Sequence, residues 1–286
     1  MRCRALRDLV KLIPPMLLID WLIERYPAST RSTLKRMAEA GRVTLNGREV
    51  KILKTPIKET DVVAVLDRAA TLPKVSLDPL VLVYEDAELL VVDKPPGLLT
   101  STVPREKRQT ALAIVTAYLA GDKKSRVGLI HRLDRDASGL LVFAKSLAAF
   151  DSLKAQFYHH SVGRVYEARV HGVPRAKSGT IESHLVESKD GQVFVTRDER
   201  KGQHAITHYD VVESADGFSR LRVKLETGRK HQIRVHLSGR GHPIVGDTVY
   251  GPQPLALEGL QLRAIELDLD HPRTGKRMQF RVKGLT

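Results

Sequence analysis

HRLDRDASGLLVFAKS, residues 131–146, is the stretch on which the reading of the chain turns. Five of its first six positions are ionisable, a Ser-Gly step follows, and then comes a run of strand-forming apolar residues, Leu140 to Ala144. A run that apolar is normally buried. The dense charge ahead of it has two readings. It is a solvated loop at a strand entrance, or the strand is a rigid mount for a reactive carboxylate. Asp134 stands between Arg132 and Arg135, and cationic neighbours favour the ionised form that a nucleophile or base requires. Taken alone, the segment fits the first reading better, because loop aspartates that cap backbone amides are common.

Short strands and a few helices surround this segment. VLVYEDAELLVVDKPPG (81–97) is a hairpin closed by an acidic turn and stopped by Lys-Pro-Pro-Gly. QTALAIVTAYLAG (109–121) is a helix, with Ala113, Thr116, Ala117 and Ala120 on one side. RVYEARVHGV (164–173), HAITHYDVVE (204–213) and SRLRVKLETG (219–228) read as strands. HQIRVHLSGRGHP (231–243) is locally ambiguous: QIRVHL alternates like a strand, whereas Ser-Gly-Arg-Gly-His-Pro is a helix stop. The mixture implies an α+β domain of catalytic size from about residue 80 to 286, not a regular βαβ wind.

The first part of the chain is of another kind. LLIDWLIERY places Leu18, Trp21, Leu22 and Arg25 at helical spacing, and Pro27 ends the pattern. In STRSTLKRMAEAG, Ser29 or Thr30 is the N-cap, Gly41 the stop, and Leu34, Met37 and Ala38 share a face. RVTLNGREVKI alternates about Asn46-Gly47, a two-residue hairpin signal. Between Arg31 and Lys54 stand seven basic residues (Arg31, Lys35, Arg36, Arg42, Arg48, Lys51, Lys54) against two acids, Glu39 and Glu49. Charge on a helix face and a hairpin edge suits phosphate tracking. Residues 15–66 therefore form a small basic α/β module, and aperiodic 67–79, with two prolines, is the linker.

The bulk numbers agree with a polyanionic partner. Lys and Arg outnumber Asp and Glu by 47 to 33 over 286 residues, a formal charge of +14, and each phosphate neutralised releases counterions. Cys3 is the only cysteine, which excludes a disulfide framework and fits a reducing cytoplasm. No stretch approaches the roughly 20 apolar residues of a membrane helix. The run LVKLIPPMLLIDWLI is broken by Lys11, Pro14, Pro15 and Asp20 and lacks a signal-peptide cleavage site.

Common chemistries fail on spacing. There is no glycine-rich loop of Walker or Rossmann type and no G-x-S-x-G elbow. Eleven histidines suggest a metal, yet His231 and His236 diverge in strand and helix alike, His159 and His160 are adjacent, and His204 and His208 lack a third ligand. Neither a metal nor a cofactor is expected.

HRLDRDASGLLVFAKS resembles the catalytic motif of the RluA-type pseudouridine synthases. VVDKPPGL (91–98) resembles that family's first motif and LETGRKHQIRVHLSGRGHPIVGDTVYG (225–251) its third, while RVYEARVHGV resembles the block carrying a base-stacking tyrosine. STRSTLKRMAEAGRVTLNGREV followed by the strand IKETDVVAVLD (57–67) resembles the alpha-L RNA-binding domain named after a small-subunit ribosomal protein. The resemblance implies the pseudouridine synthase fold, a mixed and largely antiparallel sheet flanked by helices, behind a small RNA-binding module. It implies isomerisation of uridine in RNA without a cofactor, with Asp134 essential. The aspartate attacks the anomeric carbon, attacks the uracil ring or abstracts a ribose proton; all three routes need an ionised carboxylate beside the nucleoside.

The remaining roles follow from the motif positions. Arg132 fills the space left by the extruded base or grips the backbone. By the resemblance Tyr166 stacks on the uracil; taken alone it fits a strand tyrosine of the core better. Residues from about Lys230 to before Gly241 become a helix that turns Ile233 and Leu237 inward and lets Arg234 pair with Asp134. Arg229 and Lys230 meet phosphate, and Ile233 packs beneath the catalytic base. Departures from the family are Ala137 where threonine is usual, Lys230 where threonine is frequent, and LTSTVPREKRQT (99–110), with its basic REKR loop, in place of a His-Pro step. The expected substrate is large-subunit rRNA ahead of tRNA, and the expected state is a monomer. A non-catalytic RNA-binding or ribosome-assembly factor, a tRNA-specific synthase and a uracil-excising glycosylase are the competing readings.

Overall fold

The apolar run after Asp134 lies inside the largest sheet of the protein. The computed structural model describes residues 16–39, 41–58, 60–65, 76–102, 108–120, 126–252 and 259–285. The chain divides into two compact units between Val75 and Ser76.

The smaller unit contains β1 (Met16–Leu17), α1 (Leu18–Arg25), α2 (Arg31–Glu39), β2 (Val43–Leu45), β3 (Arg48–Glu49), β4 (Pro56–Ile57) and β5 (Val63–Val65). Leu18, Trp21 and Leu22 of α1 pack with Leu34 and Ala38 of α2. Thr30 is the residue that caps α2, its Oγ1 accepting the Thr33 N–H at 3.2 Å. Asn46 and Gly47 both take positive φ (52° and 79°), as the tight turn between β2 and β3 demands. IKETDVVAVLD is not one strand: the Asp61 carboxylate accepts the Lys58 N–H and the Asn46 amide, and this turn splits it into β4 and β5. Arg31, Lys35, Arg36, Arg48 and Lys51 are exposed, while Arg42 is half-buried.

The larger unit is built on a sheet of eleven strands. They are β6 (Val81–Glu85), β7 (Leu89–Lys94), β8 (Gly128–Leu129), β9 (Ser138–Ala144), β10 (Gly163–His171), β11 (Ser178–Glu187), β12 (Val193–Thr196), β13 (Gln203–Ala215), β14 (Phe218–Leu225), β15 (Leu262–Asp270) and β16 (Arg277–Arg281). The path runs β12-β11-β13-β14-β10-β15-β9-β7-β6, with β16 on β15 and β8 on β9. Helices α3 (Ala111–Leu119), α4 (Leu147–Tyr158) and α5 (Gln232–Gly239) cover it. No helix among the described residues is long and apolar enough to cross a membrane.

Every residue of β9 is buried, and the two-residue period of a strand explains why. Leu141 and Phe143 join a cluster with Ile114 and Val115 of α3 and Ile233 and Leu237 of α5. Leu140, Val142 and Ala144 join another with Ala149 and Leu153 of α4. Ser146, the last letter of the opening motif, caps α4 by accepting the Ala149 N–H. In α5 all of Gln232 to Leu237 are buried, so no apolar stripe marks the helix in the sequence. Leu77, placed in the linker by sequence, lies instead in the core of this unit, because its side chain fills space beside Leu80 and Val92. The rest of that linker, up to residue 75, lies outside the described residues, as does most of the REKR loop.

The motif's Ser-Gly step has a geometric cause. β9 pairs antiparallel with β7 and parallel with β15, opposing Gly139 to Ala264. Gly139 has φ 111°, and a Cβ there would collide with the Ala264 backbone. Gly139→Ala is expected to lower unfolding free energy by about 2–4 kcal/mol. Urea denaturation would check it; a change under about 0.5 kcal/mol would contradict the close approach.

Candidate active site

Where β9 begins, the loop from Ile130 to Ala137 borders an open pocket of about 690 Å³, within the range of small-ligand sites. Arg132, Asp134, Tyr166, Arg229, Lys230, Ile233 and Arg234 all line it. Residues separated by as many as 102 positions thus meet in one cavity, and Asp134 is its only carboxylate among the described residues.

Asp134 is held by a partner far along the chain. Arg234 Nη1 donates to Asp134 Oδ2 at 3.2 Å. The same guanidinium donates through Nε and Nη2 to the two oxygens of Asp247, both at 2.8 Å. Asp247 Oδ1 also accepts the Val249 and Tyr250 N–H groups. Burial opposes the charge of Arg234, but the two carboxylates more than offset it and raise its pKa. Burial likewise works against the Asp247 carboxylate, and Arg234 with the backbone donors overcomes it and lowers the pKa. The neighbours in sequence behave otherwise. Arg135 pairs with Asp136, Nε to Oδ1 at 2.9 Å, and Arg132 is exposed at the pocket wall. Arg234, not Arg135, is the cation in contact with Asp134.

The loop carrying Asp134 is clamped from below. Lys94 is fully buried, and its ammonium donates to the carbonyls of Pro95 (2.9 Å), Leu98 (2.8 Å) and Arg135 (3.0 Å). Burial brings its pKa down to about 8, against the opposing pull of Asp136, Asp134 and Asp93. Thr100 adds a reciprocal pair, its Oγ1 donating to the Leu133 carbonyl and accepting the Leu133 N–H. The lysine of the KPPG turn is therefore a brace for the loop as well as part of a strand stop. Ala137 is buried in the apolar core and also lines the pocket.

Tyr166, on β10, is almost fully buried, and burial raises the pKa of its phenol. Ile233 is also buried within the pocket wall. Lys230 already has partners: Glu187 Oε1 at 2.6 Å and the Gly191 carbonyl at 2.7 Å. Arg229 is exposed, with Nε donating to the His204 carbonyl. His231 takes a left-handed conformation (φ 53°) at the start of α5. Its Nδ1 meets the Tyr250 hydroxyl at 2.9 Å, and the same hydroxyl accepts the Val193 N–H. Asp247, Lys94, Thr100 and Tyr250 were not singled out by the sequence reading. GDTVYG within the third motif was the available signal for Asp247 and Tyr250.

Residues 88–239 match the family described as RNA pseudouridylate synthase, and residues 16–63 match the S4 domain. A protein of Bacillus subtilis (strain 168) named uncharacterized RNA pseudouridine synthase YlyB is 37% identical over 272 residues, covering 90% of this chain and 88% of that one. The ribosomal large subunit pseudouridine synthase D of Pseudomonas aeruginosa is 36% identical over 275 residues, covering 89% and 84%. Among solved structures, human RNA pseudouridylate synthase domain containing 4 superposes with a TM-score of 0.60 at 26% identity, covering 72% of this chain and 88% of that one.

Two outcomes test this geometry. Asp247→Ala leaves Arg234 half-paired inside the protein and should cost about 3–5 kcal/mol of unfolding free energy. Equal stability of variant and wild type in urea would refute the buried pair. His131 stacks on Phe157 with ring centroids 4.8 Å apart, and its Nε2 accepts the Val142 N–H. Burial, with Arg164 and Lys154 nearby, brings its pKa down to about 3. Burial also brings His236 down to about 4. Below the ordinary histidine pKa of 6.5 the unfolded chain binds these protons and the folded chain does not. Stability should therefore fall as pH falls from 6.5, with a limiting slope near 1.4 kcal/mol per pH unit for each histidine. His131→Gln should remove about one proton's share of that slope.

Proposed function

The chain belongs to the RNA pseudouridylate synthase family, and on that premise we propose that it converts uridine to pseudouridine in large-subunit rRNA with Asp134 as the catalytic carboxylate. The observation that carries the assignment is the Asp247–Arg234–Asp134 chain of ion pairs: the one acid that lines the pocket among the described residues is oriented by an arginine that is itself locked by a buried carboxylate. Orientation of this kind is what a reacting group needs before substrate arrives.

The reaction breaks the bond from uracil N1 to ribose C1′ and makes one from C5 to the same carbon. N1 gains a hydrogen and C5 gives one up, so nothing is added or removed overall. The side chains suit the parts of that task. A uridine in an RNA helix must leave its stack, which costs a few kcal/mol. Arg132, exposed at the pocket wall, fills the vacancy or grips the backbone. The buried ring of Tyr166 offers a flat apolar surface for the extruded uracil, worth about 1–3 kcal/mol. Ile233 closes the base of the cavity. Arg229 contacts phosphate, and Lys230 joins it at the cost of its pairing with Glu187.

Large-subunit rRNA is favoured over tRNA by the names of several relatives, from Pseudomonas aeruginosa, Zymomonas mobilis and Haemophilus influenzae. Arg31, Lys35, Arg36, Arg42, Arg48 and Lys51 of the S4 unit supply sequence-independent contact to that RNA. We take the enzyme to act as a cytoplasmic monomer without metal or cofactor.

Pseudouridine mapping of rRNA from a strain lacking the gene should show at least one missing site, restored by the wild-type gene. Asp134→Asn should fail to restore it while binding that rRNA within a few-fold of wild type. Restoration by Asp134→Asn would remove Asp134 from catalysis. An unchanged map, with pseudouridine absent from a tRNA instead, would move the substrate to that class.

A further inference from the structure

One charged group in the pocket is unexplained by these roles. Among the described residues, four Lys or Arg side chains are buried: Lys94, Lys145, Arg164 and Arg234. Lys94 has three carbonyls, Lys145 has Glu85 and the Asp86 carbonyl, and Arg234 has two carboxylates. Arg164 differs. Its Nη2 donates to the Glu226 carbonyl at 3.0 Å and its guanidinium lies 5.6 Å from the centre of the Phe157 ring. Its Nε is buried without a hydrogen-bond partner, and no acidic side chain among the described residues compensates its charge.

A buried cation with no counter-ion opposes folding, and an orphaned N–H adds to that cost. The position makes sense if an anion completes it. Arg164 lines the pocket two positions before Tyr166 on β10, with exposed Arg229 also in the wall. The side chain is also held in place. Glu226 and Phe157 fix it from two sides, and a Cβ at Gly228 would collide with Nη1, so only glycine leaves room for this placement. A planar guanidinium held ready suits a phosphate oxygen.

We propose that Arg164 is the binding residue for a backbone phosphate flanking the extruded uridine, and that this phosphate is its missing counter-ion. The assignment rests on the RNA-modifying reading above and names a group that reading does not use. It separates two jobs in the pocket: Asp134 and Arg234 serve the reacting nucleoside, whereas Arg164 holds the chain on which it is carried. A phosphate is bound equally in ground and transition states, so the contact should act on KM.

The test uses the full-length protein with large-subunit rRNA from cells lacking the gene. Wild type, Arg164→Gln, Arg164→Lys and Gly228→Ala are compared for pseudouridine formed, for filter binding across a salt series, and for thermal unfolding without RNA. For Arg164→Gln, kcat/KM should fall roughly tenfold or more, carried mainly by KM. The log–log salt slope of binding should become shallower by about 0.7 to 0.9, one phosphate's share. Arg164→Lys should keep that slope. Gly228→Ala, which displaces the guanidinium without removing it, should raise KM in the same direction. The unfolding temperature of Arg164→Gln without RNA should equal or exceed that of wild type, since an uncompensated buried charge has gone. An unchanged salt slope and KM in Arg164→Gln, or a lowered unfolding temperature that accounts for its loss, would overturn the proposal. Absence of pseudouridine with the wild-type protein would instead defeat the functional reading, and the binding slopes would still decide the role of Arg164.

Discussion

The bidentate bond between Arg234 and Asp247 is the constraint on which the site depends. Both side chains are buried, so either one alone would be an uncompensated charge in a low-dielectric interior. Together they are satisfied, and the geometry leaves one edge of the guanidinium, Nη1, for Asp134. Asp247 is fixed in turn by two backbone N–H groups of its own turn. Orientation therefore passes from a hydrogen-bonded turn through a charged fork to the Asp134 carboxylate. Each step uses donors and acceptors whose alternatives are costly, which is how a flexible loop aspartate comes to have one position.

The sheet supplies the second half of that rigidity. β9 is buried on both faces, and Gly139 brings its entrance against the backbone of β15. The loop ahead of it is pinned from the other side by the Lys94 ammonium and the Thr100 hydroxyl. These are uncharged acceptors around a buried cation, an arrangement whose strength comes from the low dielectric that also lowers the pKa of Lys94. The site thus has a charged brace on one side and a backbone brace on the other. The pocket lining includes both apolar side chains, such as Leu133, Ala137 and Ile233, and cations, such as Arg132, Arg164 and Arg229.

Much of this was legible in the residues. β9 could be read from its run of apolar letters, the hairpin at Asn46-Gly47 from the need for positive φ, and α1 and α2 from their apolar spacing. The helix at Gln232–Gly239 was ambiguous from pattern alone, since a helix buried on nearly every side has no polar face to mark its period. IKETDVVAVLD read as one strand because its apolar letters do not reveal that Asp61 folds back on Lys58. The second carboxylate that pairs with Arg234 was also hidden: Asp247 looks like any turn aspartate until the turn is folded.

What the sequence determined by itself was the list of chemical types and their local settings. The resemblance of its motifs to a known family pointed to Asp134, Tyr166 and Arg234, and its charge to the basic module, while local spacing dictates helix, strand and turn. That Arg135 turns away from Asp134, and that a second carboxylate, Asp247, holds Arg234, was decided only by the tertiary structure. Arg135 is adjacent to Asp134 in the chain yet turns to Asp136, while Arg234, a hundred residues away, makes the contact. The physical reason is that pairing energy depends on distance and burial, and neither is a function of separation along the chain. The same holds for Arg164, ordinary in sequence and distinguished by being buried with its Nε unpaired and no acidic side chain among the described residues against it.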